Sequence, residues 1–117
     1  MDNFRNLIVW KRAVALATDV YSKTINFPKY ELYGLTSQIR RSAVSISSNI
    51  AEGAGRRSKK EFANFLSISY GSACELETQL LIAKNLEYLK KIDFDSLFND
   101  LNEIQKMLYT LEKKQRT

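Results

Sequence analysis

Histidine is absent from the 117 residues, and with it the commonest general base and metal ligand. No Ser-His-Asp or Cys-His arrangement can form. A carboxylate di-metal centre of the kind built into helical bundles relies on Glu-x-x-His pairs, so it is missing too. Glu75 and Glu77 stand two residues apart, on different faces of a helix, which is poor for a shared metal. Cys74 is the single cysteine, which rules out an internal disulfide and a cysteine-cluster metal site; it is expected to pack as a small hydrophobe. One proline and four glycines leave few places for the chain to break, which suits long helices joined by short turns. No apolar run approaches the ~20 residues of a membrane span. Met1–Arg12 mixes apolar and charged residues without a signal-peptide core, so the reducing cytoplasm is the expected setting. Gly53-Ala54-Gly55-Arg56-Arg57 lacks the G-K-[ST] ending of a phosphate loop. An enzyme is not expected, nor a cofactor.

What is present is an ordinary globular balance, 44% hydrophobic and 26% charged, in a length that suits one domain spanning residues 1–117. The net charge of +5 favours anionic partners such as nucleic acid, although many plain proteins are as basic.

Four segments carry helical periodicity. The first, about Arg5 to Thr24, has Leu7, Trp10, Val14, Ala17 and Tyr21 on one face, with a second apolar row of Val9, Ala13, Leu16 and Val20 beside it. Pro28 stops it. The second, about Glu31 to Ala54, has a core stripe of Leu32, Leu35, Ile39, Ala43, Ile46 and Ile50, and Gly53 and Gly55 are expected to end it in the left-handed conformation. The third, about Lys59 to Leu89, opens on a Ser58/Glu61 capping box. Phe62, Phe65, Leu66, Ser69, Ala73, Leu76, Leu80 and Ala83 form its stripe, with Ala63, Tyr70, Cys74, Leu81 and Tyr88 as a shoulder. Gly71 sits mid-helix, where glycine costs about 1 kcal/mol relative to alanine; close approach of another backbone or a kink is expected there. The fourth, about Phe94 to Lys114, is capped by Asp93 or Asp95 and has a seam of Leu97, Leu101, Ile104, Leu108 and Leu111. Its terminal Lys113, Lys114 and Arg116 complement the helix dipole. The expected fold is all-α, an antiparallel up-down-up-down four-helix bundle.

Three features stand out. The row Gln38, Arg41, Ser45, Asn49 and Glu52 is either a solvated face or a polar seam with Arg41 paired to Glu75 or Glu77; its Ser and Asn, weak helix formers, favour the seam. The run Arg56-Arg57-Ser58-Lys59-Lys60 puts four cations at a helix start, where free N–H groups also attract anions; it is either a solvated turn or a phosphate contact. The surplus of apolar rows on the first and third helices points to self-association.

The blocks Leu7-x-Val9-Trp10-x-x-Ala13, Phe27-Pro28-x-x-Glu31-x-Tyr33-Gly34-Leu35-x-x-Gln38-x-Arg40-Arg41, Ser45-Ile46-x-x-Asn49-Ile50-Ala51-Glu52-Gly53-x-Gly55-Arg56 and Gly71-Ser72-x-x-Glu75-Leu76-Glu77-x-Gln79-Leu80 carry a resemblance. The chain resembles the four-helix bundle proteins encoded by intervening sequences of 23S rRNA genes, a family with relatives in the accessory variability determinant of diversity-generating retroelements. The resemblance implies a four-helix bundle, a ring-like homopentamer and no enzymatic activity. Through the retroelement relatives it also implies nucleic-acid binding and docking on a reverse transcriptase.

Two functions follow as expectations. One is a self-assembling adaptor that binds RNA or DNA non-specifically through Arg56, Arg57, Lys59 and Lys60, with Lys11 and Arg12 of the first helix. The other is a structural or protein-interaction module without a nucleic-acid role.

Overall fold

Apolar side chains that recur every three or four residues can be hidden together only when each segment is helical and several segments pool their stripes. A computed structural model describes residues 3–117. Its helices are α1 (Ile8–Thr24), α2 (Leu35–Ala54), α3 (Lys59–Asn85) and α4 (Lys91–Gln115). Each packs on the next and α4 closes back on α1, while the diagonal pairs α1–α3 and α2–α4 stay apart. The result is the antiparallel up-down-up-down four-helix bundle, 44 × 23 × 20 Å. No helix among the described residues is long and apolar enough to cross a membrane.

The core is one cluster built from all four helices. Ile39, Ala43, Ile46 and Ile50 of α2 meet Leu66, Ala73, Leu76 and Leu80 of α3 and Leu97, Leu101, Ile104 and Leu108 of α4. On α1 the neighbours select between two apolar rows. Val9, Ala13, Leu16 and Val20 are buried with Ala17, whereas Val14 and Tyr21 are exposed. Leu32 also lies outside the expected core, because it precedes α2 in a surface turn.

The helix ends show where local chemistry overrides the apolar pattern. Residues Phe4–Asn6 form a separate 3-10 turn whose cap, the Asn3 side chain, accepts from Arg5 N at 2.8 Å. α2 starts at Leu35, four residues later than its pattern suggests. Lys29–Glu31 is another 3-10 turn, and the Glu31 carboxylate accepts the Leu35 N–H at 3.1 Å, capping the helix from outside. A Cβ on Gly34 would stand 2.7 Å from that carboxylate oxygen, so glycine keeps the cap in reach.

Neither Gly53 nor Gly55 is left-handed. Gly53 is helical and buried, and a Cβ there would meet the Phe65 Cβ at 2.5 Å; it is a close-approach glycine of the α2–α3 contact. Ser58 caps α3 as expected, its Oγ accepting from Glu61 N at 3.1 Å. α3 ends at Asn85 rather than Leu89, because Glu87 takes φ 64°. Tyr88 N then bonds Ala83 O and Glu87 N bonds Lys84 O, the pair that closes a Schellman turn. α4 opens early, at Lys91, with no side-chain cap; Asp93, an expected cap, faces Lys23 at 3.6 Å instead. Cys74 is exposed rather than packed, as are Tyr70 and Leu81 of the same α3 shoulder, whereas Ala63 is buried.

Candidate functional site

The α2–α3 turn carries Arg56, Arg57, Lys59 and Lys60, all exposed, around the Ser58 cap of α3. Antiparallel packing brings the end of α4 to the same place. Gln115 joins Asn3, Arg56, Arg57 and Lys59 around a cavity of about 520 Å³. Arg116 donates to Asn64 Oδ1 at 3.4 Å, and Lys114 lines an adjoining groove with Asn6 and Leu7. The cations that follow α4's last apolar turn thus share one end of the bundle with the basic run. Their sequence position, more than fifty residues away, gives no sign of it.

These cations differ in freedom. Arg56 is anchored, 3.6 Å from Glu52 Oε1 and 4.8 Å above the Phe65 ring. Arg57, Lys59 and Lys60 form no ion pair among the described residues. Arg116 is paired to Glu112 at 3.0 Å. Of the two α1 residues, Lys11 is exposed and Arg12 is not available: its guanidinium bonds Glu103 and lies 3.9 Å from Asp100, joining α1 to α4.

The polar row of α2 is half seam and half surface. Ser45 Oγ and Ser72 Oγ share a hydrogen bond of 2.8 Å across to α3. Asn49 Nδ2 donates to Ser45 O at 2.8 Å and to Ser45 Oγ at 2.9 Å. Gln38, Arg41 and Glu52 are exposed. The expected pairing of Arg41 with Glu75 or Glu77 is not formed. Five residues along a helix turn the side chain by roughly 140°. Ser72 faces α2, so Glu77 turns to α4, where its Oε1 accepts from Gln105 Nε2 at 3.0 Å, and Glu75 stays exposed.

The matched family model, described as 23S rRNA-intervening sequence protein, covers residues 5–110. The chain belongs to this family. A similar solved structure is a protein of unknown function from the S23 ribosomal protein family of Bacteroides thetaiotaomicron. It is 29% identical, with a TM-score of 0.82, covering 91% of this chain and 99% of that one. No match is found among curated proteins.

At the opposite end of this family member lie two groupings that the helical patterns did not single out. Arg40, not Arg41, is the half-buried arginine of α2: its Nε donates to Thr24 Oγ1 at 3.0 Å and its guanidinium lies 4.8 Å over the Tyr21 ring. The signal was its place on the flank of α2 shared with Thr36 and Ser47, turned toward α1. The Tyr88 hydroxyl meets Tyr30 at 3.3 Å and donates to Glu31 Oε2 at 3.1 Å. The hydrogen bond with Tyr30, then burial and the Glu31 carboxylate, hold it above the ordinary tyrosine range. This cluster pins the α1–α2 turn to the end of α3.

Proposed function

We propose that this bundle is a non-enzymatic, self-assembling adaptor whose basic end binds nucleic-acid phosphates without sequence preference. The observation that carries the reading is that Arg57, Lys59 and Lys60 share one end of the bundle with Lys113 and Lys114 of α4, beside the free N–H groups of α3. Cations slightly disfavour a helix N-terminus, so their crowding there suits an external anion. Assembly multiplies the patch: in a closed homo-oligomer, of which a pentamer is the expected form, modest contacts add to useful avidity. Exposed Ile8, Ile68 and Ile82 and the open space around Gly71 support contact between copies.

The test titrates wild type and Arg57→Ala/Lys59→Ala/Lys60→Ala with RNA and duplex DNA at low and high salt, after the oligomeric mass of both has been matched. Binding on the order of 10⁻⁴–10⁻⁶ M that weakens steeply with salt, and a shallower slope in the variant, is the expected result. Equal slopes reduce the patch to a solvated turn.

A second reading, a protein-interaction module, is favoured by the groove between α1 and α4. Leu7, Ile8, Met107 and Leu111 line it, with Lys106 and Lys114 at its rim. Unchanged oligomeric mass together with absent nucleic-acid binding would select it.

A further inference from the structure

The flank where α3 meets α4 carries a cavity of about 420 Å³, separate from the one at the basic end. Tyr70 of α3 walls one side, and Asn102, Gln105, Lys106, Tyr109 and Thr110 of α4 form the rest. Gln105 is the floor. It is 8% exposed, and its Nε2 donates to Glu77 Oε1 at 3.0 Å, which fixes the amide. Its Oε1 accepts no hydrogen bond among the described residues, yet it is not sealed off from the cavity. A fixed amide oxygen without a donor is an acceptor on offer. Asn102 lies beside it, half-buried. Its side-chain amide bonds nothing among the described residues, so it offers both a donor and an acceptor.

The outer face of α4 sets an aromatic ring between two cations. Tyr109 is 61% exposed. Lys106 stands three residues before it and Lys113 four residues after it, so the three share one face of the helix. Neither lysine forms an ion pair among the described residues. Lys113 runs straight into Lys114 and the basic end. Cation, ring and cation in this order suit a strand whose base stacks while its phosphates are held on either side. A phosphate by itself, rich in acceptors, leaves the Gln105 oxygen without a donor. Every nucleobase carries an N–H on its pairing edge.

We propose that this pocket takes one unpaired nucleobase of a single strand. The base lies on the Tyr109 ring with Tyr70 across from it. Its pairing edge gives an N–H to Gln105 Oε1 and meets the Asn102 amide, and the flanking phosphates fall to Lys106 and Lys113. The inference rests on the nucleic-acid reading of the basic end and deepens it. The basic end takes phosphates of either form, while the pocket selects strands whose base edges are free. A duplex cannot use the pocket, because its pairing edges are occupied. Stacking accepts any base, so sequence preference stays weak. The volume, that of about fourteen waters at ~30 Å³ each, holds one nucleotide and not a double helix.

The test titrates the full chain with labelled oligoadenylate, alone and paired with oligouridylate, by fluorescence anisotropy at low salt. Nitrogen-15 NMR follows the side-chain amides of Asn102 and Gln105 during titration with AMP and with ribose 5-phosphate. Tighter binding of the single strand than of the duplex is expected, with saturable shifts of both amides by AMP and none by ribose 5-phosphate. Tyr109→Leu weakens the single strand about tenfold and leaves duplex affinity and melting temperature unchanged. Asn102→Ala, which removes no hydrogen bond of the fold, weakens AMP several-fold. Equal affinity for the two forms, an equal response to ribose 5-phosphate, or single-strand binding unchanged in Tyr109→Leu overturns the proposal. Failure of the basic end is told apart by the duplex. Duplex binding absent from wild type, with the AMP shifts and single-strand binding present, overturns the basic end and supports the pocket. Duplex binding without AMP shifts overturns the pocket and leaves the basic end.

Discussion

The α2–α3 contact and the α1–α4 contact hold the same bundle together by opposite means. α2 and α3 meet through small and hydroxyl side chains. Ser69 Oγ donates to Ile46 O at 2.8 Å in a fully buried position, Ser45 bridges to Ser72, and Gly53 accepts the Phe65 Cβ where its own would be. α1 and α4 meet through longer side chains, with Arg12 on Glu103, Lys23 on Asp93 and an open apolar groove around Met107. The first contact tolerates no added volume, while the second is screened by solvent and leaves apolar surface uncovered. A pair of helices that approaches closely has to specify its smallest residues. A pair that stays apart can leave its flank to a partner.

Gly53→Ala should do the most damage. The added methyl meets the Phe65 Cβ and the Phe62 ring, and overpacking of this kind costs about 1–3 kcal/mol. Urea melts at fixed protein concentration check it; a loss under 0.5 kcal/mol would mean the two helices can part without penalty.

Gly71→Ala should act in the other direction. Nothing lies within 4 Å of the position its Cβ would take, and α3 runs through it unbroken, so neither a close approach within the chain nor a stop in the helix explains the glycine. Alanine should stabilise the isolated bundle by about 0.5–1 kcal/mol. A lower oligomeric mass in the same variant would show a neighbouring copy seated on that open face.

On the α1–α4 side, Arg12→Ala should cost about 0.2–1 kcal/mol, and the difference from wild type should shrink in 1 M salt. Thermal melts at two salt concentrations measure it. A cost above 2 kcal/mol would put this pair on a par with the α2–α3 contact and erase the contrast.

Ile8→Ser should have the smallest effect on folding, within about 0.5 kcal/mol, because the side chain is 65% exposed. Light scattering gives its sharper reading: a fall in assembled mass with the fold intact would place the α1–α4 groove in the contact between copies.

Periodicity and breaker scarcity determined that this chain makes four helices, because a 3.6-residue repeat can be buried in one way only. The seam Leu97, Leu101, Ile104 and Leu108 and the Ser58 cap were legible for that reason, being local patterns with local causes. Which of two apolar rows α1 buries was not legible, since both satisfy the helix and only its neighbours choose. Gly53 read as a stop, but its use depends on Phe65, twelve residues on in another helix. The basic run was visible as a string of letters, while the end of the bundle that it shares with Lys113 and Lys114, and the neutralisation of Arg12 by Glu103, required the chain to fold back on itself. Arg40 carries the same lesson. Side by side in the sequence, Arg40 and Arg41 are the same residue type, and only packing against Thr24 and Tyr21 makes one a fixed guanidinium and the other a solvated charge.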